Sequence, residues 1–183
     1  DNTDAIDRIK IQYGTSIVYP PSAMCCHVSP VPNHLIGRVT SLKARGDVAM
    51  SGVFGFELDI RVLSAEEKQA IREQVRLYKK IRHLISDGEF YRLLSPFEGD
   101  EAAWMFVSSD RKEAFVSFFR ILAKANLPAA RLRLKGLAES LKYQIDETDQ
   151  VHGGDELMYV GLKVPEPGRD FQSAVWRLHG LEP

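Results

Sequence analysis

Cysteine is nearly absent from this sequence, with only Cys25 and Cys26 among 183 residues, side by side. A bridge between neighbours would need Cα atoms farther apart than a single peptide link allows, so a disulfide framework is excluded. An excess of either charge is missing as well: 24 Lys and Arg stand interleaved with 25 Asp and Glu. That balance gives no basic face for nucleic acid and no polybasic run for a membrane surface. No apolar stretch approaches the roughly 20 residues needed to span a bilayer. No charged start followed by an apolar run reads as a signal peptide. His27, His34, His83, His152 and His179 show no metal-ligand spacing with one another or with the cysteines, so neither a metal nor another cofactor is expected. Gly153-Gly154-Asp155-Glu156 lacks the Lys-Ser/Thr of a phosphate loop, and we read it as a turn between strands rather than a strand-to-helix junction.

What remains is ordinary globular material, 44% hydrophobic and 27% charged, enough for one ample core or two small ones. Residues 1–86 alternate helical and strand patterns. Asn2 or Thr3 is placed to cap a helix with Asp4 in its first turn, and Ile6, Ile9, Tyr13 and Ile17 follow at helical spacing, with Gly14 a candidate early end. Pro20 and Pro21 break the pattern. The continuous run Ala23 to Val28 predicts a strand buried on both faces. A weaker helix opens at Thr40 or Ser41, interrupted by Gly46, and Val53 to Ile60 alternates as a second strand. Ser64 and Glu67 have capping-box spacing ahead of a stripe of Ile71, Val75, Tyr78, Ile81 and Ile85, predicting a long third helix. Helix, strand, helix, strand, helix is the order of a parallel sheet, which needs more than two strands to bury anything.

After a hinge at Ser86-Asp87-Gly88 the pattern changes to seven short β-rich runs, at 89–94, 102–107, 114–121, 130–134, 141–145, 158–164 and 171–178. Turn residues between them argue for an antiparallel sandwich or barrel over residues 87–183. Trp104, Trp176, Phe115, Phe118 and Phe119 fit core spacing better than a sugar-stacking platform, and Lys79, Lys80 and Arg82 read as the solvated face of the long helix.

If the first half ends a (β/α)8 barrel, its chemistry sits at the carboxyl ends of the strands. Asp1, just before the first helix, then occupies a strand tip, and Asp4 lies beside it; helix capping is the plainer role for this acidic pair. By the same logic Cys26 to Ser29 and Glu57 to Asp59 face that mouth. A single His27 at a strand end is more commonly a hydrogen-bonded structural residue than a catalyst. The cysteines have no base pattern near them and read as buried strand residues.

Several motifs carry a resemblance. Asp1 to Arg8 with Ile11 to Ser16, Tyr19 to Ser22, His27-Val28-Ser29, Val31 to His34, Ala49 to Gly52 and Phe54 to Asp59 are similar to segments of glycoside hydrolase family 36. So are Phe90 to Leu93, Glu101 to Trp104, Leu132 to Leu137, Tyr143, Gly153 to Met158 and Trp176 to Leu178. The resemblance spans essentially the whole chain. It implies an α/β plus all-β fold: residues 1–86 as the sixth helix through the eighth helix of a TIM barrel, and residues 87–183 as a Greek-key antiparallel β-sandwich. It implies a retaining α-galactosidase that removes terminal α-linked galactose from melibiose, raffinose and related sugars. In the family the Asp following a strand-end Trp is the general acid/base, a role that falls on Asp1 by position, with Asp4 as the alternative and His27 as a substrate-binding candidate. The chain opens on a helix start without Met, as if at the tip of the sixth strand, and the family nucleophile belongs to an earlier strand. The expectation is therefore a fragment that is inactive by itself, from a cytoplasmic, homo-oligomeric parent acting on an α-galactoside oligosaccharide, with no nucleic acid or membrane partner. Cys25 and Cys26 stand where the family usually has small residues. Two other readings are a sandwich module that binds sugar without catalysis, marked by aromatics exposed on one strand face, and a galactosyl-transferring enzyme of the raffinose-synthase type.

Overall fold

A computed structural model of the chain describes residues 2–125, 130–166 and 168–181. It divides into two compact units, Asp1–Ser86 and Asp87–Pro183.

The first unit is built on two parallel strands, β1 (Cys25–Val28) and β2 (Val53–Phe56), in register from Cys25↔Val53 to Val28↔Phe56. Three helices accompany them: α1 (Ala5–Thr15), α2 (Leu42–Ala49) and α3 (Ala65–Asp87). Each starts where a side chain satisfies its first amides. Asp4 caps α1, taking the place expected of Asn2 or Thr3, because its own backbone is extended and its carboxylate reaches the amides of Ile6 and Asp7. Ser41 caps α2 through the Ala44 amide. The capping box forms as spaced, with the Ser64 amide donating to Glu67 at 2.9 Å and the Glu67 amide to the Ser64 hydroxyl at 3.2 Å.

Among the described residues of this unit, helices cover one face of the two strands. Cys26, Val28, Phe54 and Phe56 pack with Met24, Leu42 and Ala49, and the Phe54 ring lies 5.0 Å from Tyr78 of α3. On the opposite face Cys25 is exposed and Val53 half exposed. Burial on both faces of β1 is thus corrected: pleating sends alternate side chains to opposite sides, and among the described residues only one side meets helices. Three boundaries also move. The strand begins at Cys25 because Pro21–Ala23 forms a 3-10 turn; β2 stops at Phe56 instead of Ile60; and α2 runs unbroken through Gly46. No helix of the described residues is long and apolar enough to cross a membrane.

The second unit is antiparallel. Strands β3 (Glu89–Leu94), β4 (Glu101–Val107), β5 (Glu113–Arg120), β7 (Lys142–Ile145), β8 (Val151–Gly153) and β10 (Gln172–Leu181) form one sheet in the order β3-β4-β5-β10-β7-β8. A separate ladder pairs β6 (Arg131–Leu132) with β9 (Leu162–Lys163), and its Leu132 and Leu162 join Met105, Val116, Phe118, Trp176 and Leu178 in one core. Burying side chains of this size contributes about 1.5–3 kcal/mol each. Trp104, Trp176, Phe115, Phe118 and Phe119 are all buried, and the exposed Phe97 and Tyr159 lie outside the strands, so no strand face of the described residues displays aromatics for sugar stacking. Arg120 is buried on β5 and satisfied by Glu101 (3.0 Å), the Pro165 carbonyl (3.0 Å) and Gln172 (2.9 Å).

Gly153-Gly154-Asp155-Glu156 does lead from strand to helix, from β8 into the six-residue α4 (Gly154–Tyr159), correcting the turn expected there. The run 158–164 accordingly splits into the end of α4 and the short β9. Close packing explains the glycine: a Cβ at Gly154 would run into the Ala138 carbonyl and stand 3.0 Å from the Tyr143 ring. Tyr143 cannot yield, since its buried hydroxyl donates to the Arg111 carbonyl (2.6 Å) and accepts from the Ala138 amide (2.9 Å). Gly154→Ala in the 183-residue chain is expected to lower stability by about 2 kcal/mol. Urea unfolding followed by the fluorescence of Trp104 and Trp176, both in this unit, measures it; an unchanged midpoint would contradict the packing.

Candidate active site

Asp1 lies outside the described residues. The three residues that follow it are held from three directions. The Asn2 carbonyl accepts from Arg8 (2.8 Å), and the Asn2 side chain bonds the Asp4 amide (2.9 Å) and Asp7 (3.0 Å). The Thr3 hydroxyl accepts from the Asn33 amide group at 3.0 Å. The buried Asp4 carboxylate, besides capping α1, pairs with Arg38, which also approaches Asp7 at 3.6 Å. Asp4 is therefore fully engaged in structure, as its capping role requires.

Asn33 and Arg38 belong to the loop after β1, and that loop is closed on itself. The Asn33 side-chain oxygen accepts from the amides of Leu35 (3.0 Å) and Ile36 (3.2 Å), its backbone amide donates to Arg38, and Gly37 donates back to Asn33 at a φ of +68° that favours glycine. Arg45 of α2 ties the loop's start through the Ser29 carbonyl at 2.6 Å. Arg8 binds the Cys25 carbonyl at 2.6 Å while holding Asn2, so one guanidinium joins α1 to β1.

At the carboxyl end of the strand pair, His27 and Glu57 meet. His27 Nε2 lies 2.8 Å from Glu57 Oε2, with the imidazole largely covered and the carboxylate mostly exposed. The parallel register brings them together: His27 stands beside Gly55, and Glu57 follows the last residue of β2 with its amide bonded to Val28. Of the other residues expected at this mouth, Leu58 packs into the helix-facing cluster and Asp59 turns outward to Arg61 at 2.8 Å. Burial pushes the Cys26 thiol up to about 11, against the opposing charge of Arg8, so it stays protonated and unreactive at neutral pH.

Arg8, Asn33, Arg38 and Arg45 carry most of this geometry, and none stands out by periodicity. Asn33 alone had a local signal, an Asn after Pro32 with Gly37 four residues on, which suits a side-chain-closed turn. A groove of about 640 Å³ runs beside α1 and the outer edge of β1, lined by Asn2, Arg8, Gln12, Tyr19, Met24 and Cys25.

Burial holds the His27 imidazole below its ordinary pKa of 6.5; the Arg8 charge acts the same way, and Glu57 opposes both. A depressed histidine pKa means that the folded state prefers the neutral ring. The associated stability is present above pH 6.5 and is lost as pH falls through the lower folded value. NMR titration of the His27 ring is expected to give a midpoint below 6.5, and Glu57→Gln to lower it further. A midpoint unchanged in the variant would show that Glu57 does not act on the ring.

Comparison with known proteins bears on both units. A melibiase family model matches residues 1–88, and the model of the glycosyl hydrolase family 36 C-terminal domain matches residues 101–178. Alpha-galactosidase AgaA of Geobacillus stearothermophilus is 60% identical over 182 residues, 100% of this chain and 25% of the relative. Alpha-galactosidase 2 of Hypocrea jecorina is 43% identical over 176 residues, 96% of this chain and 23% of the relative. Among solved structures, the family 36 alpha-galactosidase AgaB of Geobacillus stearothermophilus superposes with a TM-score of 0.96 at 62% identity, over 99% of this chain and 25% of that one. Variants of AgaA have been solved in complex with raffinose and with stachyose. The chain spans about a quarter of the length of these relatives. Matched by the two family models along most of its length and by such relatives from end to end, the chain belongs to glycoside hydrolase family 36.

Proposed function

We propose that these residues form about a quarter of a retaining α-galactosidase that removes terminal α-galactose from melibiose- and raffinose-type sugars. The observation that carries this reading is the match of the whole chain to α-galactosidases of bacteria and fungi. In this reading the first unit is the last part of a (β/α)8 barrel and the second a Greek-key sandwich.

The open face of the strand pair supports the barrel. Two parallel strands do not stand alone, and the face bearing Cys25, His27 and Val53 needs cover that the helices do not give. Further strands alongside the β1 edge, where the groove lies, would supply that cover and turn this face into the barrel interior. His27 is then at the carboxyl end of an interior-facing row, where substrate binding belongs. Ile17, Val18, Tyr19, Leu35, Ile36 and Val39 are also exposed, and the rest of the barrel and a homo-oligomer are the surfaces proposed to cover them.

Asp1 is assigned as the general acid/base. Retaining hydrolysis uses two carboxyl groups about 5–5.5 Å apart, one attacking the anomeric carbon while the other protonates the departing oxygen and then activates water. The neighbouring carboxylates have other work: Asp4 caps a helix and holds Arg38, and Glu57 faces His27. The family resemblance assigns the nucleophile to an earlier barrel strand, outside these residues.

Two outcomes are expected. In an enzyme of full family length carrying this span, Asp1→Ala cuts kcat/KM on melibiose by about 10²- to 10⁴-fold and spares an aryl galactoside whose leaving group needs no acid. Equal losses on both substrates rule out Asp1 as the acid. The 183-residue chain expressed separately releases no p-nitrophenol from the aryl α-galactoside, and turnover above the blank would place a nucleophile within it.

A further inference from the structure

Residues 2–4 are anchored more heavily than a helix start requires. Capping α1 is accomplished by one carboxylate, Asp4, on the amides of Ile6 and Asp7. The bonds from Arg8 to the Asn2 carbonyl and from Asn33 to the Thr3 hydroxyl satisfy no helical amide. They come from different elements, Arg8 from α1 braced on the β1 carbonyl of Cys25, and Asn33 with Arg38 from the self-closed loop after β1. Three consecutive residues are each gripped by a separate side chain.

We propose that Arg8, Asn33 and Arg38 are positioning residues for the general acid/base: together they clamp Asn2, Thr3 and Asp4, and so fix the three residues that directly follow Asp1. The proposal rests on the assignment of Asp1 above. A proton donor works only within hydrogen-bond reach of the departing oxygen, and displacement by about 1 Å costs on the order of 10²-fold. An acid whose neighbours in the chain were not held would lose that placement. The clamp preserves it by holding the next three residues, and it links the acid to the loop that follows β1, so a change in that loop is felt as a change in proton delivery.

The test uses Thr3→Val and Arg38→Met in the full-length enzyme, with Asp1→Ala in parallel. Thr3→Val keeps the shape of the side chain, removes the Asn33 bond, and leaves Asn33 free to hold Leu35 and Ile36. Each variant is assayed on melibiose and on 2,4-dinitrophenyl α-galactoside, whose leaving group departs without protonation. We expect kcat/KM on melibiose to fall by about tenfold or more and that on the dinitrophenyl substrate by less than about twofold. Thr3→Ser and Arg38→Lys should restore part of the melibiose activity. A merely structural role would lower both substrates together, because loss of folded enzyme ignores the leaving group. Equal losses, or none, overturn the clamp. If Asp1→Ala itself shows no split between substrates, the acid assignment fails and the clamp loses its purpose with it; a split in Asp1→Ala with none in Thr3→Val and Arg38→Met defeats the clamp alone.

Discussion

A carboxylate taken out of water must find donors enough to replace it, and the first unit is organised around how Asp4 finds them. Two are backbone amides at the start of α1, and the third is the guanidinium of Arg38. The amides would suffice for an exposed cap. Burial makes the third partner necessary, and that partner arrives on a loop from the far end of β1. The helix start, the loop and the strand end are therefore fixed by one charge, and Asn33 and Arg8 extend the same junction to Thr3 and Asn2.

The strand pair adds a second constraint. Parallel pairing in strict register puts His27 beside Gly55 and lets Glu57, one residue past β2, reach the ring. Gly55 offers no side chain there, with nothing within 4 Å of an added Cβ, so no side chain at position 55 stands between the imidazole and the carboxylate. The same alternation sends Phe54 and Phe56 to the helices, and one pleat thus separates the packed face from the face proposed to meet substrate.

How much of this the sequence revealed depends on the range of each interaction. The capping box at Ser64 and Glu67 was legible because both partners are three residues apart, and the buried aromatics of the antiparallel unit because alternation marks them. The cap of α1 was misplaced by one or two residues, since Asn2, Thr3 and Asp4 are all good capping residues and only the contact with Arg38, thirty-four positions away, favours Asp4. The helix α4 was missed because six residues show no period, and its place is set by Leu157, buried in the sheet core, and by the close approach of Gly154 to Ala138. His27 and Glu57 were both placed at strand ends. Their pairing depended on the register, which no local pattern states, and the outward turn of Asp59 to Arg61 was hidden for the same reason.

The seam between the two parallel strands shows one-way tolerance. A side chain at Gly52 would stand 2.7 Å from the Cys26 sulfur and 2.7 Å from the Met24 carbonyl oxygen. Shrinking residue 26 clears the first obstacle and leaves the second, because a carbonyl is present whatever residue occupies position 24. Position 26 can shrink at the cost of buried packing while position 52 is pinned as glycine, and no paired exchange can pass the bulk of Cys26 across to its neighbour. Variation at the two contacting sites is therefore asymmetric: a side chain at 52 meets backbone whatever stands at 26, whereas a change at 26 costs only the packing of its own side chain.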